Sequence, residues 1–302
     1  MKKIAVVIVT YNSERHIYDC LASVFKYNDL GDDLEVIVVD NCSKEYETMA
    51  SSLRTRYADQ VKVIQNTKNG GYGQGNNVGI RAASAPVIMI MNPDVRMCEQ
   101  VFDMVYGVFE KKQDVVMYSL TQKNGQGQLG RSTAWTSRVY PYIAEPLRYI
   151  AGKYNLYWQK YMYFSGACFF LRKSSFEEVG LFDENIFMYN EEDDIHGRLI
   201  SKKGAKIIYD RKHYYIHLHE SVKDYGAETY DWLKRNLSSL IYLNERDGIS
   251  KKKTVSWAIK RTNISIWGEQ LKRLFGRGNE ARIQYFKGWR EIQRDILKQE
   301  PS

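Results

Sequence analysis

The chain has 302 residues, of which 44% are hydrophobic and 26% are charged, with only 5 prolines. This composition is that of a folded globular protein and excludes a short peptide or an intrinsically disordered chain. No apolar run approaches the roughly 20 residues of a membrane-spanning helix, and the first residues turn polar too early for a secretory signal. Four scattered cysteines form no metal or redox motif, so we expect a protein of the cytoplasm or of the inner face of the cell membrane.

The net charge of +8 is confined to the end of the chain. Residues 251–302 contain 13 Lys and Arg against 5 Asp and Glu, whereas residues 1–250 contain 31 of each sign. Aromatic residues are interleaved with these cations: Trp257, Trp267, Phe275, Tyr285, Phe286 and Trp289. The segment is typical of a surface that contacts anionic lipid headgroups or phosphates, although a docked pair of helices has the same composition. Nucleic acid is not an expected partner.

Four near-continuous apolar runs follow one another in regular order: Lys3–Val9, Leu34–Val39, Val61–Ile64 and Val87–Met91. Because apolar residues occupy both alternating positions, these runs predict strands that are covered on both faces. Residues 12–27 have apolar residues at helical spacing, with Ser13 at the helix start. The β-α-β repetition predicts an α/β fold with a mostly parallel sheet flanked by helices.

The pattern changes beyond residue 100. Further strands are predicted at Val115–Leu120, Ala167–Leu171 and Lys206–Asp210, and helices from about Glu191, around Tyr230–Asn244 and in the basic tail. We therefore expect one domain over residues 1–250, followed by a helical extension over residues 251–302.

Polar clusters follow three of the predicted strands: residues 10–12, 40–43 and 92–94. In an open parallel sheet, ligands bind beyond the carboxyl ends of the strands, so these clusters are predicted to share one site. Taken singly, their Asp and Asn residues are equally explained as turn formers or helix caps.

A glycine-rich segment, residues 69–79, follows the third strand. It does not match the dinucleotide motif G-x-G-x-x-G, because Asn76 and Val78 stand where the last glycine is required. It also lacks the Gly-Lys-Ser/Thr end of a P-loop. The segment predicts a loop whose backbone approaches an anion, or a tight turn before a helix that starts at Asn76.

Six motifs occur in a fixed order: Val-Thr-Tyr-Asn at 9–12, Val-Val-Asp-Asn-Cys-Ser at 38–43, the glycine-rich segment with Ile80, Asn-Pro-Asp at 92–94, Ser-Gly-Ala-Cys at 165–168, and Gly-Leu-Phe-Asp-Glu with Phe-Met-Tyr-Asn-Glu-Glu-Asp-Asp-Ile-His-Gly-Arg within 180–198. Together they resemble family 2 glycosyltransferases, especially the rhamnosyltransferase-like branch. The resemblance spans about residues 3–221.

The resemblance implies a GT-A (Rossmann-like) fold and an inverting transfer from a nucleoside-diphosphate sugar. Residues 1–120 would then bind the donor, and residues 121–250 would hold the acceptor and the catalytic acids. By motif position, the expected donor-binding residues are Thr10, Tyr11, Asn12, Asp40, Asn41, Asn69, Gly71, Tyr72, Gly75, Asn76 and Asn92.

A divalent metal, Mg²⁺ or Mn²⁺, is the cofactor that the resemblance implies. Asp94 would hold it against the diphosphate, because carboxylate and phosphate oxygens are its usual ligands. Asn92 replaces the first Asp of the family's D-x-D triplet, so the protein supplies less negative charge. His217 and His219 resemble a late family segment that approaches the metal, although packed or exposed histidines explain them equally.

An inverting transfer also needs a base that takes the proton of the acceptor hydroxyl. Aligning the acidic run with the family motif points to Glu192, with Glu191 and Asp193 as alternatives. Four acids at a helix start also complement the helix dipole without any catalytic role. Arg198 lies four residues after Asp194, where an ion pair on one helix face explains it.

Acceptor contacts are expected from Asp183, Arg131 and Trp135. Residues 140–164 contain nine aromatic side chains, most of which are expected to fill the core.

The predicted function is therefore sugar transfer, of rhamnose or another hexose, to a glycan or lipid-linked acceptor in bacterial surface polysaccharide assembly. A glycoside hydrolase also uses paired carboxylates, but it needs no nucleotide cluster. A basic membrane-associated binding protein with a degenerate catalytic domain is the non-enzymatic alternative. The oligomeric state is not predicted.

Overall fold

The computed structural model describes residues 1–137, 145–218 and 227–299. The chain divides into two compact units. Unit 1 comprises Met1–Phe187 and Glu191–His219, and unit 2 comprises Met188–Asn190 and Glu220–Ser302. The predicted functional boundary at residue 250 lies within unit 2 and stays a prediction.

Unit 1 is built on an eight-stranded sheet with the order β3-β2-β1-β4-β9-β6-β10-β5, and β7 and β8 form a separate antiparallel pair. The strands are β1 (Ile4–Thr10), β2 (Leu34–Asp40), β3 (Val61–Gln65), β4 (Val87–Met91), β5 (Val95–Met97), β6 (Val115–Lys123), β7 (Thr133–Trp135), β8 (Met162–Phe164), β9 (Cys168–Arg172) and β10 (Lys206–His217).

Unit 1 contains helices α1 (Glu14–Lys26), α2 (Tyr46–Tyr57), α3 (Gly71–Ala82), α4 (Phe102–Lys111), α5 (Glu145–Lys153), α6 (Lys173–Glu178) and α7 (Glu191–Ile200), with 3-10 turns at Gly31–Asp33 and Ala58–Gln60. Unit 2 contains α8 (Ala227–Arg246), α9 (Lys251–Leu274) and α10 (Glu280–Lys298). Ser13 stands at the start of α1 as predicted, but its hydroxyl donates to the Tyr11 carbonyl (3.0 Å).

The first four strands are parallel neighbours, which confirms the β-α-β prediction. Their alternating side chains enter two apolar clusters: Val6 and Ile8 of β1 lie in one, and Ala5 and Val7 lie in the other. Both faces of the sheet are therefore covered, as the unbroken apolar runs indicate.

The other half of the sheet is mixed. β9 is antiparallel to β4 and β6, while β10 is parallel to β6 and antiparallel to the short β5. The predicted strand at Lys206–Asp210 continues to His217 after a register shift between Asp210 and Tyr214. This extension pairs His217 with Val95, just after the Asn92–Asp94 motif.

Unit 2 is a set of three helices joined by polar and aromatic contacts. Tyr230 of α8 donates to the carbonyl of Tyr285 in α10 (3.0 Å), and their rings stack. Thr262 of α9 donates to Gln293 of α10 (3.0 Å). Within the described ranges, no helix combines the length and the hydrophobicity needed to cross a membrane.

Candidate functional site

The ends of β1 and β2 meet through a buried carboxylate. Thr10 and Asp40 are register partners, and the Thr10 hydroxyl donates to Asp40 Oδ2 (3.1 Å). Ser43 donates to the same carboxylate through its backbone N–H (2.8 Å) and its hydroxyl (2.5 Å). Thr10 and Asp40 are fully buried, so the hydrogen bonds from Ser43 to Asp40 fix the loop after β2 to the end of the strand.

The loops after β1 and β2 are also joined to each other by hydrogen bonds. The backbone N–H of Asn12 donates to Ser43 Oγ (2.8 Å), and Asn12 Oδ1 accepts from the backbone N–H of Lys44 (3.1 Å). Asn12 has a left-handed backbone (φ 49°), which Asn adopts more readily than most residues. Tyr11 is half exposed beside it and can contact a ligand directly.

Asn41 joins the end of β2 to the start of α3. Its Nδ2 donates to the Gly71 carbonyl (2.9 Å), and its Oδ1 accepts from Asn66 Nδ2 (2.7 Å). Asn69 Oδ1 accepts from the Gly71 N–H (3.0 Å). Gly71 has φ 88°, and a Cβ there would overlap the carbonyl oxygen of Phe187, so only glycine fits.

The glycine-rich segment is helical, which corrects the predicted loop. Helix α3 begins at Gly71 instead of at Asn76. A Cβ on Gly75 would lie 2.8 Å from Val9 Cγ1, so this glycine lets the helix pack directly on β1. Asn76 is buried, and its Nδ2 donates to the Tyr72 carbonyl (2.9 Å). Gly75 therefore packs α3 against β1, and the donor contacts predicted for Gly71, Gly75 and Asn76 stay predictions.

Tyr72 and Glu192 meet at Gly166. The Tyr72 hydroxyl donates to the Gly166 carbonyl (2.7 Å), and the Glu192 carboxylate lies directly against Gly166. A Cβ on Gly166 would overlap that carboxylate. Burial raises the pKa of Tyr72 well above its usual value, and the nearby charges of Glu192 and Glu191 raise it further. The first turn of α3 therefore lies beside the start of α7.

The same short segment also reaches the Asn-Pro-Asp motif. The N–H of Asn92 donates to the carbonyl of Ala167 (2.8 Å), the neighbour of Gly166. Asp94 Oδ2 lies 3.2 Å from His217 Nε2. Burial alone would raise the pKa of Asp94, but the hydrogen bond and charge of His217 outweigh it, so the pKa is below its usual value.

The four acids at the start of α7 have different surroundings. Asp194 binds Arg198 through two hydrogen bonds (2.6 and 3.0 Å), which confirms the predicted ion pair. Asp193 Oδ2 accepts from the backbone N–H of Ser137 (2.7 Å), and Glu191 is buried. Glu192 keeps a small exposed fraction, but most of its side chain is enclosed by protein. This loss of contact with water is the largest cause that raises the pKa of Glu192, and the charge of Asp193 adds to it.

The three predicted acceptor residues have different local surroundings. Arg131 is exposed, and Trp135 of β7 stacks on Trp158 with ring centroids 5.6 Å apart. Asp183 accepts two hydrogen bonds from Asn185 in a local turn (2.9 and 3.0 Å). Trp135 lies two residues before Ser137, whose backbone N–H donates to Asp193, so the end of β7 lies close to the acidic start of α7.

The aromatic run is divided between core and surface, which corrects the expectation that most of its rings fill the core: among the described rings Phe164 is buried, whereas Tyr154, Trp158 and Tyr161 are exposed. Tyr157 stacks on Phe164 (4.7 Å), and Tyr209 packs against both rings. Trp158 instead exposes 42% of its surface. Residues 138–144, which include Tyr140 and Tyr142 of the predicted aromatic run, lie outside the described residues.

Asp94 and His217 are the described residues that fit a divalent cation. Among the residues that the structure describes, no cluster of three or more His, Cys, Asp or Glu could hold a metal by itself. A carboxylate with an imidazole nevertheless matches the ligand preferences of Mn²⁺ when phosphate oxygens complete the shell. His219, the other predicted ligand, lies outside the described residues.

Sequence reasoning did not assign roles to Ser43, Asn66, Ser137 and Gly166. Ser43 and Gly166 lie within motifs quoted above, so the sequence marks these positions but does not indicate which residues they contact. Asn66 follows β3 directly, and the strand-end rule could have found it. Ser137 contributes its backbone N–H, a group that every residue except proline has, so its residue type gives no indication of the contact.

Comparison with known proteins adds a family. A sequence model of "Glycosyl transferase family 2" matches residues 5–180. Over 129 residues the chain is 30% identical to the poly(ribitol-phosphate) beta-N-acetylglucosaminyltransferase TarS of Staphylococcus aureus, an alignment that covers 42% of this chain and 22% of TarS. The chain thus spans about a fifth of that relative's length.

A second relative covers more of the chain. The low-salt glycan biosynthesis hexosyltransferase of Haloferax volcanii is 26% identical over 196 residues, which is 63% of this chain and 59% of that protein.

Solved structures show the same fold. A mannosyltransferase from Pyrobaculum calidifontis, in complex with GDP-mannose and Mn²⁺, superposes with a TM-score of 0.60 at 15% identity, over 99% of this chain and 89% of that one. TarS residues 1–349 from S. aureus, in complex with UDP, gives a TM-score of 0.52 at 16% identity, over 97% of this chain and 92% of that one. The fold is the GT-A arrangement that the sequence motifs imply.

Proposed function

The chain belongs to glycosyl transferase family 2, and on that premise we propose that it transfers a hexose from a nucleoside-diphosphate donor to a hydroxyl group of a glycan or lipid-linked acceptor. We further propose that the transfer inverts the anomeric carbon. The observation that carries the proposal is the position of Gly166 and Ala167. Gly166 lies against the Glu192 carboxylate, and the carbonyl of the next residue, Ala167, accepts from the N–H of Asn92.

The donor nucleoside would bind over the joined loops after β1 and β2. Tyr11 is exposed there for ring contacts, and Asn12 offers polar atoms beside it. The buried Thr10 and Asp40 would act by holding Ser43 in place. In this proposal the deeper predicted donor residues shape the site and the exposed ones contact the ligand.

Asp94 and His217 would hold a divalent cation, which when bound neutralises charge on the leaving diphosphate. His219 remains a proposed additional ligand. Asn92 would lie beside the diphosphate, as the motif position implies. Rhamnose is one candidate donor sugar.

Glu192 would be the general base. It would take the proton of the acceptor hydroxyl while that oxygen forms a bond to the anomeric carbon. The bond between this carbon and the diphosphate oxygen breaks, and the nucleoside diphosphate leaves. A raised pKa makes the ionised carboxylate of Glu192 a better proton acceptor, while its close packing against Gly166 sets its position.

The acceptor would bind on the side of β7. Stacked Trp135 and Trp158 present an aromatic surface of the kind that binds sugar rings. Arg131 and Asp183 remain proposed polar contacts at this side.

The test is nucleotide release from a panel of UDP-, GDP- and dTDP-sugars with an oligosaccharide acceptor and Mn²⁺. We expect Glu192→Gln to lower turnover about 10²–10⁴-fold, the usual contribution of a general base. Asp94→Ala should lower it comparably. Glu110→Gln, a matched change of an exposed carboxylate on α4, should retain full activity.

Equal activity of wild type and both site variants on the productive donor would refute the residue assignment. Glycan cleavage without any nucleotide would instead favour a hydrolase. Release from no donor in the panel, together with intact folding, would favour the degenerate binding protein.

A further inference from the structure

Helix α9 of unit 2 has two different faces. Its buried residues pack within the unit: Thr254, Val255, Thr262, Ile266 and Glu269. The opposite face carries Ile264, Trp267, Leu271 and Leu274, spaced three or four residues apart, and Phe275 follows at the helix end. We call these five residues the apolar stripe.

The apolar stripe is open along its whole length. The exposed fractions are 56% for Ile264, 65% for Trp267, 41% for Leu271, 81% for Leu274 and 74% for Phe275. Single exposed apolar side chains are common on protein surfaces, whereas a contiguous group marks an interaction surface. The stripe therefore needs a partner.

Cations surround the apolar stripe. Lys260 and Lys253 continue the same helix face toward the N-terminus, at four- and seven-residue steps. Lys272 flanks its other end, and Arg273 pairs with Glu280 of α10. The sole acidic residue of α9, Glu269, is buried and accepts from Lys272 (2.8 Å), so the exposed charge of this helix is positive.

We propose that the apolar stripe and its cations dock on an anionic lipid membrane. Tryptophan, leucine and phenylalanine enter the interface between headgroups and acyl chains, while Lys and Arg bind the lipid phosphates. A second copy of the chain is a poorer partner, because apposing two such faces would bring like charges together. This inference goes beyond the proposed function and does not depend on it.

The test is flotation of the full chain with vesicles of phosphatidylglycerol and phosphatidylcholine in equal parts, and with vesicles of phosphatidylcholine alone. We expect binding to the mixed vesicles, loss of that binding in high salt, and a blue shift of tryptophan emission. The double variant Leu274→Ser/Phe275→Ser should bind the mixed vesicles at least about tenfold more weakly than the wild type, because it removes two inserted side chains.

Leu129→Ser is the matched control, since it changes an exposed leucine of unit 1 and should bind like the wild type. Both variants should keep the wild-type melting temperature and the wild-type rate of nucleotide release from a soluble donor. Absence of wild-type binding, equal binding to neutral vesicles, or full binding by the stripe variant would overturn the proposal. A dimer in light scattering that the stripe variant dissociates would also overturn it and assign the face to self-association.

Discussion

Neighbouring acids at the start of α7 are distinguished by what each side chain touches. Asp194 is neutralised by Arg198, and Asp193 accepts a backbone hydrogen bond from Ser137. Glu192 lies against Gly166, where a carboxylate has few partners of opposite charge. Burial of this kind stabilises the protonated form and costs the folded protein stability once the group ionises.

We predict that Glu192→Gln stabilises the fold at neutral pH while it removes activity. The native protein keeps a proton on Glu192 to a higher pH than the unfolded chain does. Wild-type stability therefore falls as pH rises from the usual carboxyl pKa through the raised one, and Gln removes this loss. Urea unfolding between pH 4 and about 8 measures the difference.

The two urea midpoints should separate as pH rises in that window. Glu110→Gln, at an exposed position, should show no such separation. A variant that is equally or less stable than wild type at neutral pH would contradict the raised pKa.

Tyr72→Phe tests the contact between α3 and the Gly166 segment. It removes the 2.7 Å hydrogen bond to the Gly166 carbonyl, which is worth about 0.5–1.5 kcal/mol. We expect up to about a tenfold loss of kcat/KM through displacement of the Gly166 segment and Glu192. Steady-state kinetics measure it, with Tyr154→Phe, a largely exposed tyrosine, as control.

At the scale of elements, α3 illustrates how glycine permits a helix to contact a sheet. Gly75 faces Val9 of β1 and the side chain of Asn41, with no room for a Cβ. Gly107 of α4 faces open space. The two residues are both helical glycines, so the same substitution should have opposite effects.

We predict that Gly75→Ala destabilises the protein by about 1–3 kcal/mol, because the added methyl group overpacks the contact with β1. Gly107→Ala should stabilise it by about 0.5–1 kcal/mol, since alanine loses less backbone entropy in a helix. Equilibrium unfolding in urea measures both. Equal effects of the two substitutions would show that α3 does not pack as described.

At the scale of the whole molecule, charge and chemistry are placed in different parts of the chain. Residues 1–250 carry balanced charge and include every proposed site residue, while residues 251–302 carry the whole positive excess. Ligand binding to the sheet edge and lipid binding to α9 can therefore be measured separately.

We predict that a nucleoside diphosphate with Mn²⁺ raises the melting temperature of the whole chain. A ligand at 100 times its Kd contributes about 2.7 kcal/mol to the free energy of unfolding. Thermal melts with UDP, GDP and dTDP, with and without Mn²⁺, identify the base and the metal dependence. Asp94→Ala should remove the Mn²⁺-dependent part, whereas the corresponding nucleosides should shift the wild type little.

The sequence by itself determined the parallel strands, the motifs at their ends and the family, because hydrophobic periodicity and short motifs are local. Only the tertiary structure decided that the glycine-rich segment is the start of a helix, and that Tyr72, Gly166 and Glu192 meet. Tyr72 and Gly166 are 94 residues apart, and their contact depends on strand order and close packing, which no local pattern contains. Likewise, only the tertiary structure decided which face of α9 is buried and which face is exposed.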